Sequence, residues 1–124
     1  MKVLVCGANG FIGSAIAMRL ERDGHQVVCG VRQPTRPGEI AIDYKTDRTT
    51  AKWLDKLEDV DAVVNAVGII VERGAQTFKH VHAQAPIALF TACRMRGVQR
   101  VIQISVLGAL VAGNAVLRVQ VCGR

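Results

Sequence analysis

Gly7-Ala8-Asn9-Gly10-Phe11-Ile12-Gly13 follows directly on the apolar run Val3-Leu4-Val5-Cys6 and opens a stretch of helical spacing. A glycine triplet between a strand and a helix is far more informative than the same triplet elsewhere. Gly7 permits a tight turn. Gly10, without a side chain, lets a pyrophosphate approach the backbone, and Gly13 lets the helix pack closely on the strand. The free N–H groups of the helix start, at the positive end of its dipole, then face the phosphates together with Ala8, Asn9, Phe11 and Ile12. The stretch is therefore expected to cradle a dinucleotide.

The flanking sequence fits. Phe11 to Arg22 carries Ile12, Ile16 and Leu20 at helical spacing, with Gly24 as its C-terminal cap. Val27 to Val31 reads as a second strand, Gln33-Pro34-Thr35-Arg36-Pro37-Gly38 as a loop, and Ile40 to Ile42 as a short third strand. A helix is predicted from Thr49 to Glu58, with Trp53, Leu54 and Leu57 on one face, and a fourth strand from Asp61 to Val67. Phe78, Val81, Ala85, Ala88, Leu89, Ala92 and Met95 predict a helix from about Gln76 to Arg96, kinked or restarted at Pro86. Arg100 to Ser105 closes the series as strand five. Strands alternating with helices predict an α/β fold, a Rossmann-like doubly wound parallel sheet of order 3-2-1-4-5. One domain is expected over residues 1–109, with 110–124 as an atypical tail.

Composition narrows the function classes. Half of the chain is apolar, mostly aliphatic, which suits a parallel sheet covered by helices. No run reaches the roughly 18 apolar residues of a membrane helix, and Met1-Lys2 leads straight into the first strand, so a cytoplasmic protein is expected. Cys6, Cys29, Cys93 and Cys122 are too widely spaced for a zinc or redox motif, and His80 and His82 fall on different sides of a helix, so no metal site is expected. All ten acids lie at or before Glu72, while the last 52 residues carry seven Lys and Arg. That asymmetry could serve nucleic acid, but aromatic platforms and a recognised motif are lacking.

Cys6-Gly7-Ala8-Asn9-Gly10-Phe11-Ile12-Gly13 resembles the T-G-x-x-G-x-x-G motif of extended and atypical short-chain dehydrogenases/reductases, with Cys6 in place of Thr. Asn65-Ala66-Val67-Gly68 resembles that family's N-x-x-G after strand four. Val64 to Ile70, His82-Ala83 and Gly97 to Ala109 are similar to the atypical subgroup, akin to an accessory subunit of respiratory complex I. The resemblance spans residues 1 to about 109. It implies NAD(P) binding by Gly7 to Gly13 and Asn65 to Gly68, and a residue near the adenine after strand three, where Asp43 stands; a structural turn at Asp43 is an equal reading.

Cys29-Gly30-Val31-Arg32 ends strand two without the acid that holds the ribose hydroxyls of NAD. Arg32 could instead pair with the 2′-phosphate of NADP, so NADP is the expected cofactor and NAD the alternative. The family's catalytic Tyr, with a Lys four residues on, belongs after strand five. The chain's single Tyr is Tyr44, with Arg48 at that spacing, and no Lys follows Lys79. No catalytic residue is therefore assigned, and Ser105 reads as a turn serine. The expectation is a truncated or frameshifted dinucleotide-binding domain, inactive alone, with a non-enzymatic NADP-dependent sensor or assembly module as the alternative. Strand five is expected to be an exposed apolar edge that favours self-association.

Overall fold

A computed structural model describes residues 1–67, 85–107 and 116–123. β1 (Lys2–Cys6) leads through the glycine loop into α1 (Phe11–Arg22), followed by β2 (Gln26–Val31) and β3 (Glu39–Ala41). α2 (Thr50–Leu54) tightens into a 3-10 turn over Asp55–Leu57. β4 (Ala62–Asn65), α3 (Ala85–Arg96), β5 (Arg100–Leu107) and β6 (Val116–Gly123) complete the order. The sheet runs β3-β2-β1-β4-β5-β6, and the first five strands are parallel. This is the Rossmann-like, doubly wound 3-2-1-4-5 arrangement that the alternation of strands and helices predicts.

β1 organises the core because it is flanked on both edges and covered on both faces. Val5 pairs with Cys29 of β2 and with Val64 of β4. Val3 and Val5 pack with Ala17 of α1, while Leu4 and Cys6 pack with Trp53 of α2 and with Ala88, Leu89 and Ala92 of α3. Such two-sided burial explains why the strand reads as a continuous apolar run. α1 buries Gly13 and Ala17, with Ile16 and Leu20 half-buried beside them. It ends in a reversed pair of backbone bonds, Gly24 N to Glu21 O and His25 N to Leu20 O, which is the cap expected of Gly24.

Two details differ from the sequence reading. The second helix gives way to a 3-10 turn at Asp55, while Trp53 and Leu57 are buried and Leu54 packs partly buried against the same core, the face expected of them. Pro86 is the second residue of the described α3; residues 76–84, assigned to the same helix, lie outside the described residues. Met95 is 65% exposed rather than in the core. At roughly 100° per residue it falls off the arc carrying Ala85, Leu89 and Ala92.

The largest difference is at the C-terminal side of the sheet. Residues 116–123, within the stretch expected to be an atypical tail, form β6, antiparallel to β5 along its whole length from Arg100↔Gly123 to Leu107↔Val116. Strand five is therefore not the exposed edge expected of it; the edges are β3 and β6. Leu117, Val119 and Val121 alternate with Arg118, Gln120 and Cys122, a period of two that identifies a strand. A long bare edge would leave a row of backbone groups without partners, and β6 supplies them for β5.

Beneath the glycine loop, Cys6 and Cys93 are buried with Tyr44. Burial raises both thiols from the ordinary value of 9.0 to about 12, and raises the Tyr44 phenol well above its usual value. These groups stay protonated in the folded state at pH values where the unfolded chain releases its protons. Stability is thus fully present below pH 9 and falls as pH climbs from 9 toward 12. The urea midpoint should decline over that window, and Cys93→Ala should make the decline shallower. In the same helix, Leu89→Ala should cost about 2–5 kcal/mol, whereas the exposed Ile87→Ala should stay within about 0.5 kcal/mol in chemical denaturation.

Candidate functional site

The strand order reverses around β1: β2 and β3 lie to one side, β4 and β5 to the other. A crevice opens at the carboxyl ends of the strands where an α/β sheet changes direction in this way. The glycine loop, the end of β2 and the segment after β4 all meet there.

The loop is held by backbone bonds alone. Gly7 N and Ala8 N both donate to Gly30 O at 2.9 and 3.3 Å, and Gly10 N donates to Gly7 O at 3.1 Å. Gly7 has φ +82°, a conformation that disfavours any side chain. Gly13 is required for a different reason. A Cβ there would lie 2.0 Å from Gly7 O and 2.7 Å from Gly7 C, so any side chain would drive α1 off the loop. Gly10 is roomier, since its Cβ would meet only Gly7 O at 3.3 Å. Asn9 and Gly10 are exposed, Ala8 is buried, Ile12 is half-buried and Phe11 is 95% exposed.

The start of α1 carries no side-chain cap and no acid in its first turn. Its first amides have no acceptor within the helix and lie at the positive end of the dipole. A capping Ser or Asp would normally satisfy them; with Gly10 at that position they remain available to an anion.

The wall opposite α1 is the segment after β4. Ala66 N donates to Cys6 O at 2.9 Å, and Ala66 and Val67 pack so closely on Gly7 that a Cβ there would lie 3.1 Å from each of them. Asn65 is buried, and its amide is occupied within the protein. Its Oδ1 accepts from the Tyr44 hydroxyl and from Val67 N, and its Nδ2 donates to Gln103 Oε1 at 2.7 Å. Gly68 lies outside the described residues. Asp43, at the end of β3, takes the turn geometry: its Oδ1 accepts from Lys45 N at 2.9 Å, and its own N–H donates to Asp47 Oδ2 at 2.8 Å.

Arg32 is exposed immediately beyond β2. Next to it, a groove of about 480 Å³ runs from Asn9 and Ser14 past Val31 to Gln33, Arg36 and Glu39. Arg36 is the basic residue of its lining, a role that loop composition alone does not reveal. The loop is pinned by Glu39, whose Oε1 accepts from Thr35 N at 2.8 Å and Arg36 N at 3.0 Å; these bonds, Thr35 first, hold its carboxyl below the usual value. Tyr44 has no free hydroxyl for chemistry: it is 4% exposed and bonded to Asn65.

Comparison with known proteins places this arrangement in context. The chain is 26% identical over 115 residues to the uncharacterized protein YwnB of Bacillus subtilis, covering 93% of this chain and 52% of that one. It is 26% identical to the short chain dehydrogenase/reductase notP′ of Aspergillus versicolor, covering 96% of this chain and 44% of that one. Among solved structures, MoeE5 in complex with UDP-glucose and NAD superposes with a TM-score of 0.69 at 30% identity, over 83% of this chain and 36% of that one. UDP-N-acetylglucosamine 4-epimerase from Bacillus cereus superposes at 0.71 with 23% identity, over 83% and 37%, and shares the fold. The chain thus spans about half the length of the curated relatives it matches, or less of the solved structures. The model of the NAD dependent epimerase/dehydratase family matches residues 3–114, so a glycine loop between β1 and α1 at the switch point of this sheet belongs to a member of that family.

Proposed function

We propose that this chain is the dinucleotide-binding part of a short-chain dehydrogenase/reductase of the epimerase/dehydratase type, with NADP as its preferred cofactor. The observation that carries the reading is the uncapped start of α1 packed against Gly7 at the switch point. The residues fit the group. Gly7, Ala8, Asn9, Gly10, Phe11, Ile12 and Gly13 would hold the pyrophosphate by backbone amides, with Ala66 and Val67 as the opposite wall; Gly68 is kept as a cofactor-binding residue on the resemblance alone. Asn65 would act through that wall, and Asp43 would stand near the adenine. When bound, the nicotinamide ring supplies hydride chemistry. MoeE5 was solved with NAD, which supports a nicotinamide dinucleotide here.

The preference for NADP rests on the end of β2, where Arg32 stands and no acid is present to take ribose hydroxyls. A guanidinium on the 2′-phosphate would be worth about 1.5–3 kcal/mol. Catalysis by this chain alone is not part of the proposal, because its single Tyr is buried and bonded to Asn65 and lacks a Lys four residues on.

Fluorescence titration should show NADPH binding roughly tenfold or more tightly than NADH, and Arg32→Ala should abolish the difference. Equal affinities in the wild type would sink the NADP preference; binding of neither would sink the reading itself. Gly10→Ala should lose far less folding stability than a substitution at Gly13, because its Cβ would press on Gly7 O at 3.3 Å, only a few tenths of an ångström too close, yet lose dinucleotide affinity by at least about tenfold. Gly13→Ala should instead lose several kcal/mol of folding stability, because its Cβ meets backbone at 2.0 Å. NADPH turnover with carbonyl substrates should stay at background.

A further inference from the structure

The family resemblance leaves Tyr44 and Gln103 without a role, yet both converge on Asn65 at the base of the cradle. They stand on different elements: Tyr44 follows β3, Asn65 ends β4, and Gln103 lies in the middle of β5. Their hydrogen bonds form one chain with a single polarity. Gln103 Nε2 donates to the carbonyl of Ile104 at 3.0 Å, which leaves Gln103 Oε1 as an acceptor. Asn65 Nδ2 donates to that oxygen at 2.7 Å, so Asn65 Oδ1 must face the other way. There it accepts from the Tyr44 hydroxyl and, at 3.4 Å, from Val67 N.

The polarity matters because an amide side chain has two orientations that differ by exchange of O and N. With Asn65 reversed, its NH₂ would confront Val67 N–H, donor against donor, in a site where Asn65 is 1% exposed and water cannot compensate. Val67 would lose its bond to Asn65 Oδ1, leaving Ala66 N to Cys6 O as the remaining bond to this segment's N–H groups among the described residues. Ala66 and Val67 are a wall so close to Gly7 that a Cβ there would lie 3.1 Å from each, and Gly7 is in turn the surface on which Gly13 seats α1. Tyr44 is itself rigid, with its ring edge-on to Trp53 at 5.8 Å and 75°.

We propose that Tyr44 and Gln103 are positioning residues of the dinucleotide site: together they fix the orientation of the Asn65 amide, which sets the Ala66–Val67 wall of the glycine cradle. The consequence for affinity rests on the dinucleotide-binding reading above; the coupling to the wall does not.

The test uses Tyr44→Phe, Gln103→Leu and Gln103→Glu in the full chain. Amide hydrogen exchange in the ligand-free protein should accelerate about fivefold or more at Gly7 and Val67 in Tyr44→Phe and Gln103→Leu, with Leu89 in α3 unchanged, as loss of one neutral hydrogen bond implies. NADPH affinity should weaken by a similar factor in both, and by less than the product of the two in the double variant. Gln103→Glu, which keeps an acceptor for Asn65 Nδ2 but sets its second oxygen against the Ile104 carbonyl, should accelerate exchange at Val67 less than Gln103→Leu does. Acceleration that is equal at Leu89 and Val67 would reduce the network to general stability and overturn the proposal, as would unchanged NADPH affinity in both variants. If the wild type binds no dinucleotide, the functional reading fails separately, and exchange at Gly7 and Val67 alone decides the positioning role. Should Tyr44→Phe fail to fold, the contrast between the leucine and glutamate variants of Gln103 decides it.

Discussion

The contact on which the rest of the structure depends is backbone against backbone: the carbonyl of Gly7 against the Cα of Gly13. A Cβ at Gly13 would sit 2.0 Å from that oxygen, so the separation of β1 and α1 is set by the absence of one carbon atom. Because α1 approaches this closely, Ala17 suffices to bury the helix against Val3 and Val5, and Ile16 and Leu20 complete the layer from its flank. Because β1 is then covered on that face, and by α2 and α3 on the other, its edges can carry β2 and β4 deep in the sheet. The start of α1 is left pointing into the crevice where the strand order reverses. Core packing and an anion-receptive helix end thus follow from the same missing side chain.

That constraint explains which parts of the fold are legible in the sequence. Glycine spacing is read directly as backbone geometry, so the strand–loop–helix of residues 2–22 is legible nearly to the residue. The central parallel strands β1 and β4 are legible because they are buried on both faces and read as unbroken apolar runs, Val3 to Cys6 and Ala62 to Val64. β6 is less so. Its apolar and polar residues alternate, but its only described sheet partner is β5, and nothing local in Val116 to Gly123 says that it returns antiparallel to that strand. The break in α2 at Asp55 is likewise unmarked in the sequence: Trp53 and Leu57, four residues apart, would share a face of an unbroken helix as well, so their spacing does not announce the 3-10 turn.

The site was legible where it is made of backbone and illegible where it is made of side chains from distant segments. The tight turn at Gly7 and the close helix packing at Gly13 could be read from spacing alone. Asn65 could be singled out by resemblance, but not the fact that its amide is occupied by Tyr44 and Gln103, 21 and 38 residues away. Asp43 carried two readings in the sequence, and its bond to Lys45 N shows the turn at work there. Arg36 was indistinguishable from any loop arginine until Glu39 was seen to accept from both Thr35 N and Arg36 N, which closes the loop and brings it to the groove.

The chemistry of the cluster beneath the cradle points the same way. Cys6, Cys93 and Tyr44 share one buried cluster; all three are protonated at neutral pH, and burial extends that state further into the alkaline range. A neutral Tyr44 remains a donor, and a donor is what Asn65 Oδ1 requires if Val67 N–H is to find an acceptor in the same place. A tyrosinate would invert that demand and turn the Asn65 amide. Tyr44 is buried with its hydroxyl on Asn65 Oδ1, a placement that keeps it from a ligand in the crevice and puts it where it can hold the amide. Burial has moved the chain's single tyrosine from chemistry to geometry.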